Sequence, residues 1–296
     1  MSEHKNTLTD GNVGKALLII ALPIIISNML QSVLEVVDMH FIGELGDTSI
    51  AGGTLSVSVI MVLTTVLMGI VTATAAFVSR AYGSEKYERI QVVLAHAIYL
   101  GLIFSARLAV IGFCWSEEIL FFMSQGDAVL AAEGAKFLRP ALIGSFIMML
   151  LMTLTTVFQS TGDSRTPMFV MVGVNIVNII LNPTLIQGLW IFPAMGLAGS
   201  AYASLSSRAV GVILLILCMY YLPKHKNGPI KFPKKFIFEP RLVKDIFVIA
   251  IPSAVQSGIR SFAMVLMMVI IAAYGEAAIA AFYRDITGTD NKDQII

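Results

Sequence analysis

Asn28, Gln31, Glu35 and Asp38 follow one another at steps of three, four and three residues inside an otherwise apolar run, Ala16 to Gly43. On an α-helix, where each residue turns by ~100°, these four side chains share an arc of about 80°. They make a polar track ending in two carboxyls. A carboxyl withdrawn from water resists ionisation unless a cation or hydrogen-bond donors accompany it, so a proton and a cation exclude one another there. Placing a charged side chain at the centre of a membrane helix costs roughly 2.5–3.5 kcal/mol, and a carboxyl kept there marks a path for ions or solutes. A second track runs through Asn175, Asn178 and Asn182, and Ser200 and Ser204 stand one helical turn apart. Pro23 precedes the first track and Pro183 follows the second. Each removes a helix hydrogen bond, so a kink is expected at both and a helix break just behind Asn182.

Side chains of this kind need long apolar helices to hold them. Hydrophobic residues make up 57% of the 296 and charged ones 13%, with a mean hydropathy of +0.83. That composition excludes a soluble globular domain and points to a polytopic helical membrane protein. After Ala16–Gly43 come six more apolar runs: Ile50–Phe77, Val92–Trp115, Phe137–Phe158, Met168–Ile186, Leu197–Leu222 and Val243–Tyr274. Each is long enough to cross a ~30 Å hydrocarbon core, which gives seven spans. The first is too long and too acidic for a cleaved signal segment.

Lys and Arg alternate across the connectors. Twelve lie on one side, from Lys5 and Lys15 through Arg80, Lys86, Arg89 and Arg165 to the basic stretch Lys224–Arg241; only Lys136 lies on the other. The asymmetry places the N-terminus in the cytoplasm of a multi-pass cytoplasmic-membrane protein. The basic connector Lys224–Lys235 sets topology, with contact to anionic membrane lipid as the other reading.

A repeat at an offset of 229 aligns Leu22-Pro23 with Ile251-Pro252, Gly46 with Gly275 and Ile50-Ala51 with Ile279-Ala280. Six spans separate the copies, as in a parallel duplication of six-helix halves. The expected fold class is therefore all-α: one six-helix lobe plus the first helix of a second, parallel-repeat lobe. The domains are expected at 1–222 (lobe), 223–242 (basic cytoplasmic connector), 243–282 (first helix of the second lobe) and 283–296 (a polar tail). The pattern breaks after Phe282, so truncation after the seventh helix is expected.

The order and spacing of several segments resemble the multidrug and toxic compound extrusion (MATE) transporters. They are Leu22-Pro23, Asp38-x-x-Phe41-Ile42-Gly43-x-Leu45-Gly46, Ile50-Ala51, Val78-Ser79-Arg80-Ala81-Tyr82-Gly83, Phe158–Pro167, Asn178–Pro183 and Gly196–Ser204. The resemblance covers about residues 8–282. It implies a two-lobe architecture of twelve helices and export of organic cations in exchange for H+ or Na+. In branches of that family the first-helix Asp, with polar groups on the fifth and sixth helices, holds the proton or cation, and Asp38 occupies that place. The family often has a second acid where this chain has Asn182.

The expected coupling set is Asp38, Gln31, Glu35, Asn178, Asn182, Ser200 and Ser204. No cofactor is expected and no metal beyond Na+ at Asp38; the expected partners are small organic cations and membrane lipid, not nucleic acid. Self-association is expected as well, because the second lobe is incomplete. Arg107, Arg139, Arg208 and Arg260 supply the competing structural reading, a permanent ion pair with Glu35 or Asp38. His40 and His96 have no metal-ligand partners at helical spacing, and Cys114 and Cys218 read as core residues. The absence of GxxxxGK[ST], HExxH and GxSxG speaks against ATP hydrolysis and intramembrane catalysis. The alternatives are an inactive lobe, a half-transporter working as a dimer, and a lipid-linked saccharide flippase, for which more basic residues in the spans are expected.

Overall fold

The computed structural model describes residues 13–124, 126–189, 192–221 and 238–272, and their side chains except at 13–17, 19, 20, 47 and 260–272. Eight helices are present among them: α1 (Val13–Gly43), α2 (Asp47–Gly83), α3 (Tyr87–Met123), α4 (Ala128–Ile143), α5 (Ser145–Ser160), α6 (Arg165–Ile186), α7 (Leu197–Tyr221) and α8 (Pro240–Ala272). No strand occurs among the described residues. Six of the helices are long and apolar enough to cross a membrane on their own, and α4 with α5, bent by 50° at their junction, are together long and apolar enough for one more. The chain is thus an all-helical multi-pass membrane protein. The last copies of the repeat, most of the basic connector and the tail lie outside the described residues.

The bend is the first departure from the sequence pattern, since Phe137–Phe158 reads as one straight span. Gly144 separates α4 from α5. A Cβ placed there would lie 2.3 Å from a methyl of Leu205, so α7 fills the notch that a side chain would occupy. Pro140, inside the last turn of α4, weakens the same region. The second departure is at Pro183. The expected break does not occur, because α6 runs on to Ile186 with Pro183 inside it. Pro23 likewise lies within a continuous α1, where the Ser27 hydroxyl donates to the Pro23 carbonyl at 2.8 Å.

Helices in lipid gain little from hydrophobic burial against one another and are held by close packing of small residues. Gly52 of α2 and Gly134 of α4 illustrate this: a Cβ on Gly52 would stand 2.9 Å from the Gly134 nitrogen. The Ser56 hydroxyl joins the Gly52 and Gly134 carbonyls at 2.8 and 2.9 Å. α2 also packs closely along α8, and α6 against both α1 and α7.

The main apolar cluster gathers the C-terminal halves of α2, α5 and α7 and the N-terminal halves of α3, α6 and α8 at one end of the bundle. Smaller clusters, one of α2–α4 and one of Ile42, Phe137, Leu197 and Ala201, occupy the other end. Up-and-down alternation of the chain produces this division.

Candidate functional site: a buried carboxylate between α1, α6 and α7

Asp38 lies in the next-to-last turn of α1 and is 8% exposed. Three neutral groups converge on it. Asn178 Nδ2 and Asn182 Nδ2, one turn apart on α6, donate to Oδ1 at 3.0 and 2.7 Å. The Ser204 hydroxyl of α7 donates to Oδ2. The donors also support each other: Asn182 Nδ2 donates to Asn178 Oδ1 at 3.0 Å, and Asn178 Nδ2 donates to Ser204 Oγ at 3.3 Å. The whole network of donors points at the Asp38 carboxyl. Hydrogen bonds to a charged acceptor are the stronger kind, and three of them offset much of the cost of taking Asp38 out of water.

Two buried acceptors beside these groups remain without a hydrogen bond. They are Asn182 Oδ1, on the amide that reaches Asp38, and Ser200 Oγ, one turn from Ser204 on α7. Both residues are fully buried. Orphaned oxygens are costly in a dry interior, and oxygen donors beside a carboxylate are the ligands hard cations take. Asp38, Asn182, Ser200 and Ser204 are thus the residues that could hold a small cation. Ile42, one turn beyond Asp38 on α1, packs with Phe137, Leu197 and Ala201 into an apolar cap. Phe137 lies on none of the polar tracks, and no periodicity in the sequence marks it.

The structure divides the α1 track. Gln31 Nε2 donates to Glu35 Oε1 at 3.3 Å, and neither meets the Asp38 cluster through a hydrogen bond. Glu35 and Asn28 are exposed and Gln31 is half-buried. An 80° arc is wide enough to straddle the edge of the helix interface, so Asp38 turns toward α6 and α7 while Glu35 and Asn28 turn out. Asn175 also stays apart, donating to the Met171 carbonyl at 2.9 Å.

No carboxylate–arginine ion pair forms in the spans among the described residues; the arginine pair present joins Arg89 and Glu239 at 2.7 Å, where α3 and α8 begin. Arg107 lies over the Phe104 ring at 5.6 Å, and Arg139 is exposed. Arg208 is half-buried on α7 within electrostatic range of both Asp38 and Glu35. The Arg260 side chain lies outside the described residues. No group of three or more His, Cys, Asp or Glu suited to a metal ion occurs among the described residues. His96 is instead buried structurally: Nδ1 lies 2.8 Å from the Val92 carbonyl, and Nε2 accepts the Glu239 N–H at 2.9 Å.

Bent and straight spans around a buried carboxyl capped by neutral donors define the class: a polytopic membrane protein with a candidate ion site inside one bundle. The MatE family model matches residues 23–184, more than half of the chain, and the protein belongs to that family of transporters. Over 276 residues it is 28% identical to the probable multidrug resistance protein YoeA of Bacillus subtilis, covering 92% of this chain and 58% of that protein. A FAD transporter of Shewanella oneidensis is 26% identical, covering 95% of this chain and 61% of the relative. The chain therefore spans about three fifths of the length of these curated relatives.

Among solved structures, a MOP superfamily transporter from Pyrococcus furiosus superposes with a TM-score of 0.80 at 23% identity, over 94% of this chain and 60% of that one. That protein is described by a reverse polarity of its binding pocket. The likeness extends to the fold.

Proposed function

We propose that this chain is the ion-handling lobe of a cation-coupled exporter, in which Asp38 alternates between a proton and a cation as organic cations leave across the cytoplasmic membrane. The observation that carries the reading is Asp38 itself, a carboxylate withdrawn from lipid and water and held by three neutral donors without an ion-pair partner. A permanent Arg partner would lock the group in its charged form. Neutral donors leave it free to exchange.

The three donors are not equivalent. An amide nitrogen donates and cannot accept a proton, so Asn178 and Asn182 favour the ionised form, in which their bonds to Oδ1 are strongest, and keep weaker bonds to Oδ1 when Oδ2 is protonated. Ser204 serves both forms. When Oδ2 takes a proton, the Ser204 hydroxyl turns and accepts from it, so the contact survives the change of charge. When a cation arrives instead, Asp38 stays ionised and the free oxygens of Asn182 and Ser200 complete its ligands. Proton and cation compete for one set of atoms, as exchange transport requires. H+ and Na+ both fit this scheme as the coupling ion.

In this reading residues 1–222 form the first lobe, 223–242 a cytoplasmic connector and 243–282 the start of a second lobe, with the N-terminus in the cytoplasm. Glu35 and Gln31, on the outward face of α1, line the path for the organic cation. Similarity to a FAD transporter supports a second reading, in which the solute is an organic anion and Arg208 meets it.

The test is gradient-driven dye-cation transport in proteoliposomes by this chain and by Asp38→Asn. Transport that the substitution removes supports Asp38 as the coupling group. Transport at full rate in Asp38→Asn would overturn it. Transport of flavin nucleotide in place of dye cation would favour the second reading.

A further inference from the structure

Polar side chains also gather at the far end of the bundle from Asp38. A cavity of about 420 Å3 opens between α1, α2 and α5, lined by Thr72 and Ser79 of α2, by Thr156, Gln159 and Ser160 of α5 and by Ile24 of α1. The three helices meet there near one end of the bundle: Ser79 is in the last two turns of α2, Ser160 ends α5, and Ile24 lies in the first half of α1. On α1, Ile24 and Asp38 are about 21 Å apart at 1.5 Å per residue, so the cavity is separate from the Asp38 cluster.

These side chains do not bond as their neighbours do. A hydroxyl in a membrane helix settles on the carbonyl one turn back, as those of Thr65, Thr72 and Thr74 do at 2.9, 2.9 and 2.8 Å. Ser79, Thr156, Gln159 and Ser160 make no side-chain hydrogen bond among the described residues. Three hydroxyls and a primary amide are thus free at one cavity, and Thr72 adds the lone pairs of its oxygen. Lipid cannot satisfy such groups, so this wall is built to meet water or a polar solute. No charged residue is among those that line it.

We infer that this cavity is a solute-binding site at the opposite end of the bundle from the ion site, taking the uncharged polar part of an amphiphilic organic molecule. Hydroxyl and amide groups both donate and accept, so together they fit the carbonyl, hydroxyl and amide groups of a solute without demanding a charge. The volume falls within the roughly 300–1,000 Å3 of small-molecule sites, and Ile24 supplies an apolar wall. A site that reads hydrogen bonds serves an organic cation and an organic anion alike. The inference stands apart from the role of Asp38, since the two sites share no residue.

The test is equilibrium dialysis of the full chain in detergent against two probes. Riboflavin is an uncharged solute with carbonyl and hydroxyl groups; tetraphenylphosphonium is a cation with no hydrogen-bonding group. Riboflavin is expected to bind. Thr156→Val and Gln159→Leu keep the shape of the wall and remove its hydrogen bonds. Each is expected to weaken riboflavin binding by about fivefold and to leave tetraphenylphosphonium untouched.

A folded chain that binds no riboflavin would overturn the inference, as would equal riboflavin affinity in the unmodified chain and both variants. Equal weakening of the two probes would refute recognition by hydrogen bonds. Riboflavin binding lost in Asp38→Asn but kept in Thr156→Val would place the solute at the ion site instead. If Gln159→Leu fails to fold, Thr156→Val and Ser160→Ala decide, because neither removes a hydrogen bond present among the described residues.

Discussion

Gly69 of α2 faces the backbone of Ala250 on α8 so closely that a Cβ on Gly69 would lie 2.4 Å from the Ala250 carbonyl oxygen and 3.1 Å from Ala254 Cβ. Backbone cannot step aside as a side chain can, so Gly69→Ala is expected to push the two helices apart and destabilise the protein by about 1–3 kcal/mol. Gly101 is the control. A Cβ there meets the sulfur and terminal methyl of Met149 at 2.1 Å, nominally a worse clash. Met is flexible at its end, so Gly101→Ala is expected to cost less than about 1 kcal/mol. Thermal unfolding in one detergent compares the two, and equal losses would contradict the assignment of α2–α8 as a backbone-to-backbone contact.

Asp38→Asn is expected to preserve the fold while removing ion exchange. An amide at position 38 offers its oxygen to Asn178 and Asn182 and its NH2 to the Ser204 oxygen, so all three contacts persist and only the Ser204 hydroxyl hydrogen loses its acceptor. The expected result is a normal melting temperature with loss of gradient-driven transport. A melting temperature lowered by many degrees would mean that the charge itself holds α1 to α6 and α7.

Ser204→Ala removes the one donor that can also accept. Cation binding is expected to weaken severalfold, and the proton-driven half of the cycle to slow more than that. Ser200→Ala touches no present hydrogen bond and is expected to alter cation affinity without altering stability. Calorimetry paired with transport rates tells these effects apart.

His96 and Arg89 both hold Glu239 at the start of α8, one through the backbone N–H and the other through the carboxylate. Arg89 and Glu239 are partly exposed, and such pairs contribute less than about 1 kcal/mol. His96 is fully buried, so His96→Ala strands the Glu239 N–H and is expected to cost about 1–3 kcal/mol. Chemical unfolding of the two variants should rank His96→Ala well below Arg89→Ala in stability. The reverse order would place the strength of this junction in its charges.

A cysteine introduced between Lys224 and Lys235 is expected to react with a membrane-impermeant reagent only after the membrane is opened. Labelling in intact cells would invert the topology drawn from the basic connectors.

The spans were legible because a bilayer demands apolar length, and each run from Ala16–Gly43 to Val243–Tyr274 states that length directly. The shared faces of Asn178 with Asn182 and of Ser200 with Ser204 were legible too, since helical spacing gathers each set; that they meet at Asp38 was an expectation of the family resemblance, not of the spacing. Other features depend on neighbours that no single segment records. Leu205 fills the notch at the Gly144 bend, yet it lies some sixty residues away in the chain and belongs to an apolar run that reads like any other. Helix periodicity gave Asn28, Gln31, Glu35 and Asp38 a common face without saying where the interface with α6 would cut it. The α6 backbone continued through Pro183 because a proline in the last turn disturbs few remaining hydrogen bonds.

The fastening of α8 has a mechanical consequence. Its first residues are tied to α3 through Glu239, and Ala250 and Ala254 are keyed against Gly69 of α2. The opening half of α8 therefore travels with the first six spans as one body, whatever repeat it belongs to. Pro252 lies inside this helix, at the place where its hydrogen-bond ladder is interrupted. Ala254, beyond Pro252, is still held against Gly69, so the fastening to α2 carries through the proline, and any part of α8 that moves on its own begins beyond residue 254, inside a membrane span.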